Sequence, residues 1–281
     1  MVQSHAVGTG GLPFVNRAMG KRMDQQGRHT RPFPRRRRAV VDAMRAASRR
    51  NDVHGLVEFD VTDARRRVRA EATDIGESRS FTAFIVYCLS RALEDHPDCN
   101  SYRDWRGRLV HFDDVDVMVV VETTLEGEHH ALPHVVRAAN RRSLESIHDE
   151  IRAAQASPAP MHTSWLTGLG LRLPGPIRRL FYRLPRWFPG RWKQVAGTVG
   201  VTALGMFGTG SGWGVTPTNY TLQLTVGGIG ERPALVDGAV EPREYLSLTV
   251  TVDHDVVDGA PAARFTERLR ELVEGAHGLD V

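Results

Sequence analysis

The sequence is poor in cysteine: Cys88 and Cys99 are the only two in 281 residues. Two thiols exclude a disulfide framework and argue against a structural zinc centre, so no metal site is expected. Nor is there an apolar run near the roughly 18 residues that a membrane-spanning helix needs. The N-terminus has no apolar signal core. These absences predict a reduced, cytoplasmic protein. Acid is missing from one long stretch, because no Asp or Glu stands between Glu150 and Glu231. That interval holds Arg152, Arg172, Arg178, Arg179, Arg183, Arg186, Arg191 and Lys193, and Arg35 to Arg38 form a second basic cluster. The formal net charge is only +4, so the positive field is local. Such zones attract phosphates or an anionic membrane surface when they are not simply solvated faces. No zinc-finger, RNA-recognition or recognition-helix pattern accompanies the charge, which argues against nucleic acid as a partner.

What is present suffices for a core: 41% of residues are hydrophobic, and the length fits one large domain or two small ones. Residues 1–34, rich in Gly, Gln, His and Arg, read as a flexible N-terminal arm. Helical spacing predicts helices over 36–50, 81–93, 143–156 and 260–274, and Thr62-Asp63 can cap a charged helix from near Ala64. Alternation predicts strands over 54–61, 108–112, 115–122, 134–136, 199–202, 220–226 and 246–252. His129-His130 falls in a polar loop on this reading. Residues 157–193 break the rhythm with Pro158, Pro160, Pro174, Pro176, Pro185 and Pro189, so only short helices are expected there. Their arginines and tryptophans make 161–193 either a docking element for an anionic membrane or partner, or a helical hairpin packed on the chain's own core. Strands and helices mix without strict alternation, which predicts an α/β sandwich rather than a doubly wound sheet.

The most informative segment is Asp253-His254-Asp255-Val256-Val257-Asp258-Gly259. It follows the alternating run Leu246 to Val252, a half-buried strand by pattern. A histidine leaving a strand end ahead of an Asp-Gly turn is placed to act as general base on a hydroxyl or thiol, or is an ordinary loop histidine beside a turn. Gly259 allows a turn geometry or close packing that a side chain would block.

This segment, together with Gly227-Gly228-Ile229-Gly230-Glu231-Arg232-Pro233 and Val236-Asp237-Gly238, resembles the catalytic domain of the dihydrolipoyl acyltransferases, the core subunits of 2-oxo acid dehydrogenase complexes. Gly197 to Gly208, Arg37 to Met44 and Ala138 to Leu144 extend the resemblance, which covers roughly 35–155 and 195–281. It implies a chloramphenicol acetyltransferase-like two-layer sandwich with a mixed sheet. It makes 35–281 one catalytic-like domain, with 157–193 as a basic, aromatic, Pro-rich insertion where the family has a shorter link. It also implies acyl transfer from a coenzyme A thioester by direct attack of the acceptor, with His254 as base, and a homotrimer whose sites form between neighbours. In the family a serine or threonine hydroxyl stabilises the oxyanion, and Thr202 matches it. The family's equivalent of Asp258 pairs with an arginine and fixes the histidine loop; Arg37 best matches that arginine.

Two residues depart from the family pattern. Asp255 stands where the family usually has arginine, and Ala203 where it tends to have asparagine. A substrate other than dihydrolipoamide is one explanation; a catalytically reduced structural or regulatory trimer is another. Residues 1–34 are too short for a lipoyl domain and show no lipoylated-lysine context. No covalent lipoyl group is therefore expected on this chain, and a lipoyl substrate would come from a lipoyl-domain protein in trans. A free acyl-CoA with a small acceptor is the alternative, and the basic segments could hold the coenzyme's phosphates.

Overall fold

The computed structural model describes residues 22–23, 29–30, 32–34, 37–75, 80–125, 128–156, 174–204 and 210–279. Most of the expected arm, Arg35, Arg36 and residues 157–173 lie outside the described residues. Two short strands, β1 (Arg22–Met23) and β2 (His29–Thr30), pair with each other. The main sheet has six strands: β3 (Asp52–Asp60), β6 (Val117–Leu125), β7 (Glu128–Val136), β8 (Val199–Ala203), β9 (Leu222–Val236) and β10 (Ala239–Asp253). Their order is β3-β10-β9-β8-β6-β7. The sheet is mixed: β8 runs parallel to both β6 and β9, and the remaining pairs are antiparallel. A separate ribbon joins β4 (Ser101–Arg103) to β5 (Leu109–His111).

Period-two patterning decides which face of the sheet is core. Leu222, Leu224 and Val226 on β9 and Leu246, Leu248, Val250 and Val252 on β10 are buried in one apolar cluster with Val117, Val119, Val199 and Val201. Helices α2 (Thr62–Ile75), α3 (Phe81–Ala92), α4 (Leu144–Ala156) and α8 (Gly259–Glu274) belong to the same layer, with Phe84, Leu89, Ile147, Ile151, Phe265 and Leu269 in that cluster. Full burial of a leucine such as Leu248 contributes about 2 kcal/mol. The alternate positions are polar: Gln223 and Thr225 on β9, with Thr221 just before it, and Ser247, Thr249 and Thr251 on β10, all buried.

One feature corrects the sequence reading and a second adds to it. His129 and His130 lie in β7, because that strand extends back to Glu128 rather than starting at 134. Helix α1 (Arg37–Ala47) forms where its spacing predicts, yet Val40 and Met44 are exposed and Asp42 is buried. The carboxylate of Asp42 is paired with Arg178 at 2.7 Å, and Val40 and Met44 are left open while Ala47 is buried.

β9 and β10 continue as a two-stranded arm beyond their neighbours. Asp237 (φ 50°) and Gly238 (φ 86°) turn it, a pair of left-handed residues suited to a tight hairpin. At its base Gly227 and Gly228 form a bulge opposite Ser247. A Cβ on Gly228 would lie 1.9 Å from the Gly210 carbonyl oxygen, so only glycine admits that backbone approach.

Candidate active site

His254 follows the last residue of β10, where a turn begins. Its amide donates to the Asn51 carbonyl at 2.9 Å. The imidazole is 49% exposed, and its Nδ1 lies 3.9 Å from an oxygen of Asp258, itself 82% exposed. Water therefore reaches the ring, as a base receiving a proton from an incoming group requires.

The loop is held through partners that the sequence did not single out, Arg50, Asn51 and Arg103. Arg50 pairs with the Asp253 carboxylate and donates to the Tyr220 carbonyl at 3.2 Å. Asp253 is nearly buried, and its backbone oxygen accepts from Val256 and Val257, which closes the turn after the histidine. The Asp255 carboxylate accepts from Asn51 at 2.8 Å and from Arg103 at 3.3 Å. Asp52 lies beside Arg50 and accepts from the Thr218 amide at 3.0 Å. Burial raises the Asp52 carboxyl above its ordinary value, against the pull of the Thr218 amide and Arg50. The acids on either side of His254 are thus both matched by donors from elsewhere in the chain.

Arg37 and Gly259 do not do what the sequence reading assigned them. Arg37 begins α1, and among the described residues no ion pair joins it to Asp258. Asp258 instead lies exposed beside the histidine. A Cβ on Gly259 would meet nothing within 4 Å, and its φ is not in the left-handed range. Neither close packing nor a special turn therefore demands glycine at this position within the chain. Partners of Arg50 and Asp253 are separated by 203 positions, so no local pattern could have announced them.

Thr202 is near the C-terminal end of β8, half-buried. It is level with Thr225 on β9, which is level with Thr249 on β10. The three form a transverse row on the sheet face opposite the core, and among the described residues the hydroxyls of Thr225 and Thr249 have no hydrogen-bond partner. The row crosses β10 at Thr249, five residues before His254. Five residues of strand span roughly 17 Å, and β8 is two strands away from β10. A single chain keeps Thr202 and His254 far outside hydrogen-bonding reach. The cause is topological: β8 and β10 run in opposite directions, so their C-terminal ends lie at opposite edges of the layer.

No thiol competes for the role of nucleophile. Cys88 and Cys99 are free and buried; burial pushes the Cys88 thiol well up and Cys99 up to about 12. Among the described residues no cluster of His, Cys, Asp or Glu could hold a metal ion, and no helix is long and apolar enough to cross a membrane.

A mixed six-stranded sheet with helices on one face is a fold shared with solved dihydrolipoamide acetyltransferase structures. The structure of Azotobacter vinelandii dihydrolipoamide acetyltransferase superposes with a TM-score of 0.66 at 20% identity, covering 96% of this chain and 99% of that one. That of a probable dihydrolipoamide acetyltransferase from Listeria monocytogenes gives 0.64 at 21% identity, covering 89% and 96%. The family model for 2-oxoacid dehydrogenases acyltransferase (catalytic domain) matches residues 25–158 and 193–279, and the chain belongs to that family. The lipoamide acyltransferase component of the branched-chain alpha-keto acid dehydrogenase complex of Pseudomonas putida is 26% identical over 245 residues, which are 85% of this chain and 50% of that protein. The dihydrolipoyllysine-residue acetyltransferase component of the Staphylococcus aureus pyruvate dehydrogenase complex is 24% identical over 255 residues, 87% of this chain and 51% of that protein. The chain spans about half the length of these curated relatives.

Proposed function

We propose that this protein transfers an acyl group between a coenzyme A thioester and a small acceptor, with His254 as general base. The acceptor is a thiol of the dihydrolipoamide type, carried on another chain, or a small hydroxyl or amine. With Asp258 on the Nδ1 side of the ring, Nε2 is left to take the acceptor's proton. The freed acceptor attacks the thioester carbonyl, and a tetrahedral oxyanion forms. The carbon–sulfur bond to coenzyme A then breaks, and the imidazolium returns its proton to the departing thiolate. A fixed hydroxyl donor at the oxyanion is worth on the order of 3 kcal/mol, and Thr202 supplies it. Since one chain separates Thr202 from His254, the donor comes from an adjacent copy, and a homotrimer with three sites at its subunit boundaries is the assembly we infer. The exposed Val40 and Met44 of α1 and Val53 and Leu56 of β3 are apolar surface that such an assembly would cover. A cubic core is described for a pyruvate dehydrogenase multienzyme complex that shares the fold. The reduced cytoplasm remains the compartment that fits two unpaired, buried thiols.

One observation carries the assignment. The Azotobacter structure was determined to investigate the roles of a serine, a histidine and an asparagine in its catalytic mechanism. The interval from that serine to that histidine equals the interval from Thr202 to His254, and the asparagine follows by the same four positions that separate Asp258 from His254. Threonine keeps the hydroxyl, and aspartate keeps an oxygen acceptor.

The test is thioester release from a panel of acyl-CoAs, with and without dihydrolipoamide, by the intact protein and by His254→Ala. Transfer that falls by a factor on the order of 10³ in the variant supports the base assignment. Undiminished turnover in His254→Ala removes it. No calorimetric binding of coenzyme A and no transfer to any acceptor would leave a catalytically reduced scaffold of the same fold.

A further inference from the structure

The family model leaves residues 159–192 unmatched, and the described part of that stretch is built unlike the rest of the molecule. It consists of three short helices, α5 (Gly175–Phe181), α6 (Leu184–Trp187) and α7 (Pro189–Ala196). Their inner side is fixed to the body. Arg178 pairs with Asp42, and the Tyr182 hydroxyl donates to the Ala39 carbonyl at 3.3 Å. The Trp105 amide donates to the Arg186 carbonyl at 2.8 Å, and Trp192 is buried. In this respect the segment packs on the chain's own core.

Its outer side does not. Ile177, Leu180, Phe181, Trp187, Phe188 and Val195 are between 40% and 53% exposed. Arg179, Arg183, Arg186 and Arg191 are exposed among them. None of these four makes an ion pair among the described residues. No Asp or Glu occurs in 174–204. The nearest acids are already engaged: Asp42 by Arg178, and Asp114 and Asp116 by Arg141, Arg137 and Lys193. Two of the free arginines lie over aromatic rings, Arg183 over Trp187 and Arg191 over Phe188, so charge and large apolar surface are presented together.

We propose that α5 to α7 form a docking surface for an anionic lipid bilayer. Uncompensated arginines match the negative headgroups electrostatically, while Ile177, Leu180 and Phe188 are bulky enough to enter the headgroup–acyl boundary. A nucleic acid would use the arginines and rings but has no use for exposed aliphatic side chains, which offer no stacking face. The helices stay fixed by their inner contacts, so docking needs no refolding. This inference is independent of the acyl-transfer chemistry and rests on charge complementarity and exposed apolar side chains alone.

The experiment is sedimentation of the intact protein with phosphatidylcholine vesicles, with and without phosphatidylglycerol. Binding is expected only where phosphatidylglycerol is present, and it should weaken with added salt. Each of Arg179→Gln, Arg183→Gln and Arg191→Gln should lower affinity about fivefold, the equivalent of roughly 1 kcal/mol per charge near the surface. Ile177→Ser with Phe188→Ser should weaken binding even at low salt. Circular dichroism and the sedimentation coefficient of each variant establish that fold and assembly are unchanged. Equal binding to both vesicle types, or none to either, would overturn the proposal. So would a change of oligomeric state in the arginine variants, which would make the face a contact between copies. Displacement of the vesicles by an RNA oligonucleotide would assign the face to nucleic acid instead.

Discussion

Arg50, at the entry to β3, is bound to Asp253, the residue immediately before His254, and to the carbonyl of Tyr220. One guanidinium thereby ties the end of β10 to the segment that leads into β9. The side chain of Arg50 is 22% exposed and that of Asp253 9%, between the regimes of surface and interior pairs. Arg50→Gln and Asp253→Asn should each cost about 2 kcal/mol of stability. Amide exchange in 253–257 should quicken in both, and where transfer is measured, kcat should fall about tenfold with little change in KM for the thioester. Denaturant melts and exchange mapping check the first two effects without reference to catalysis.

The separation of Thr202 from His254 predicts subunit complementation. His254→Ala and Thr202→Val should each be nearly inactive alone, the second by a factor on the order of 10². Unfolded together and reassembled, they should regain activity, because random mixing in a closed ring makes about one site in four whole. No recovery after mixing would place both halves of the site in one chain.

Glycine substitutions should divide sharply. Gly259→Ala meets open space and starts a helix, so its melting temperature should match the wild type or rise slightly. Gly228→Ala sets a methyl against the Gly210 carbonyl and should cost about 3 kcal/mol. Thermal melts of the two variants side by side suffice.

Asp52 supplies a pH signature. Burial raises its carboxyl from the ordinary 3.8. A carboxyl that is raised on folding favours the native state below its unfolded value and loses that contribution as pH climbs through the folded one. Wild type should therefore lose stability relative to Asp52→Asn as pH rises from about 4 toward neutrality. Parallel melts at acidic and neutral pH measure the difference. Wild type that gains stability relative to Asp52→Asn with rising pH would contradict the direction.

The strand before His254 was legible because Leu246, Leu248, Val250 and Val252 alternate with hydroxyl residues, and the structure buries those four in the core. Helices α3 and α4 were legible for the same reason, at a helical period. The start of β7 was not, since Glu128-His129-His130 carries no apolar alternation and the strand lies at the sheet edge. The spacing of α1 shows a helix but not what it buries: within one chain Asp42 and Ala47 are buried and Val40 and Met44 exposed, with Asp42 held by Arg178 from a segment 136 positions away. Period shows which face is apolar; it does not show whether the cover comes from the same chain. Arg50 stayed invisible for a related reason: an ion pair across half the fold leaves no trace in spacing.

The opposed directions of β8 and β10 carry a further meaning. Each copy carries His254 at one margin and Thr202 at the other, so on the proposed mechanism a solitary molecule owns two unfinished halves. Output per molecule should then decline faster than proportionally on dilution, tying turnover to how many copies the cell maintains.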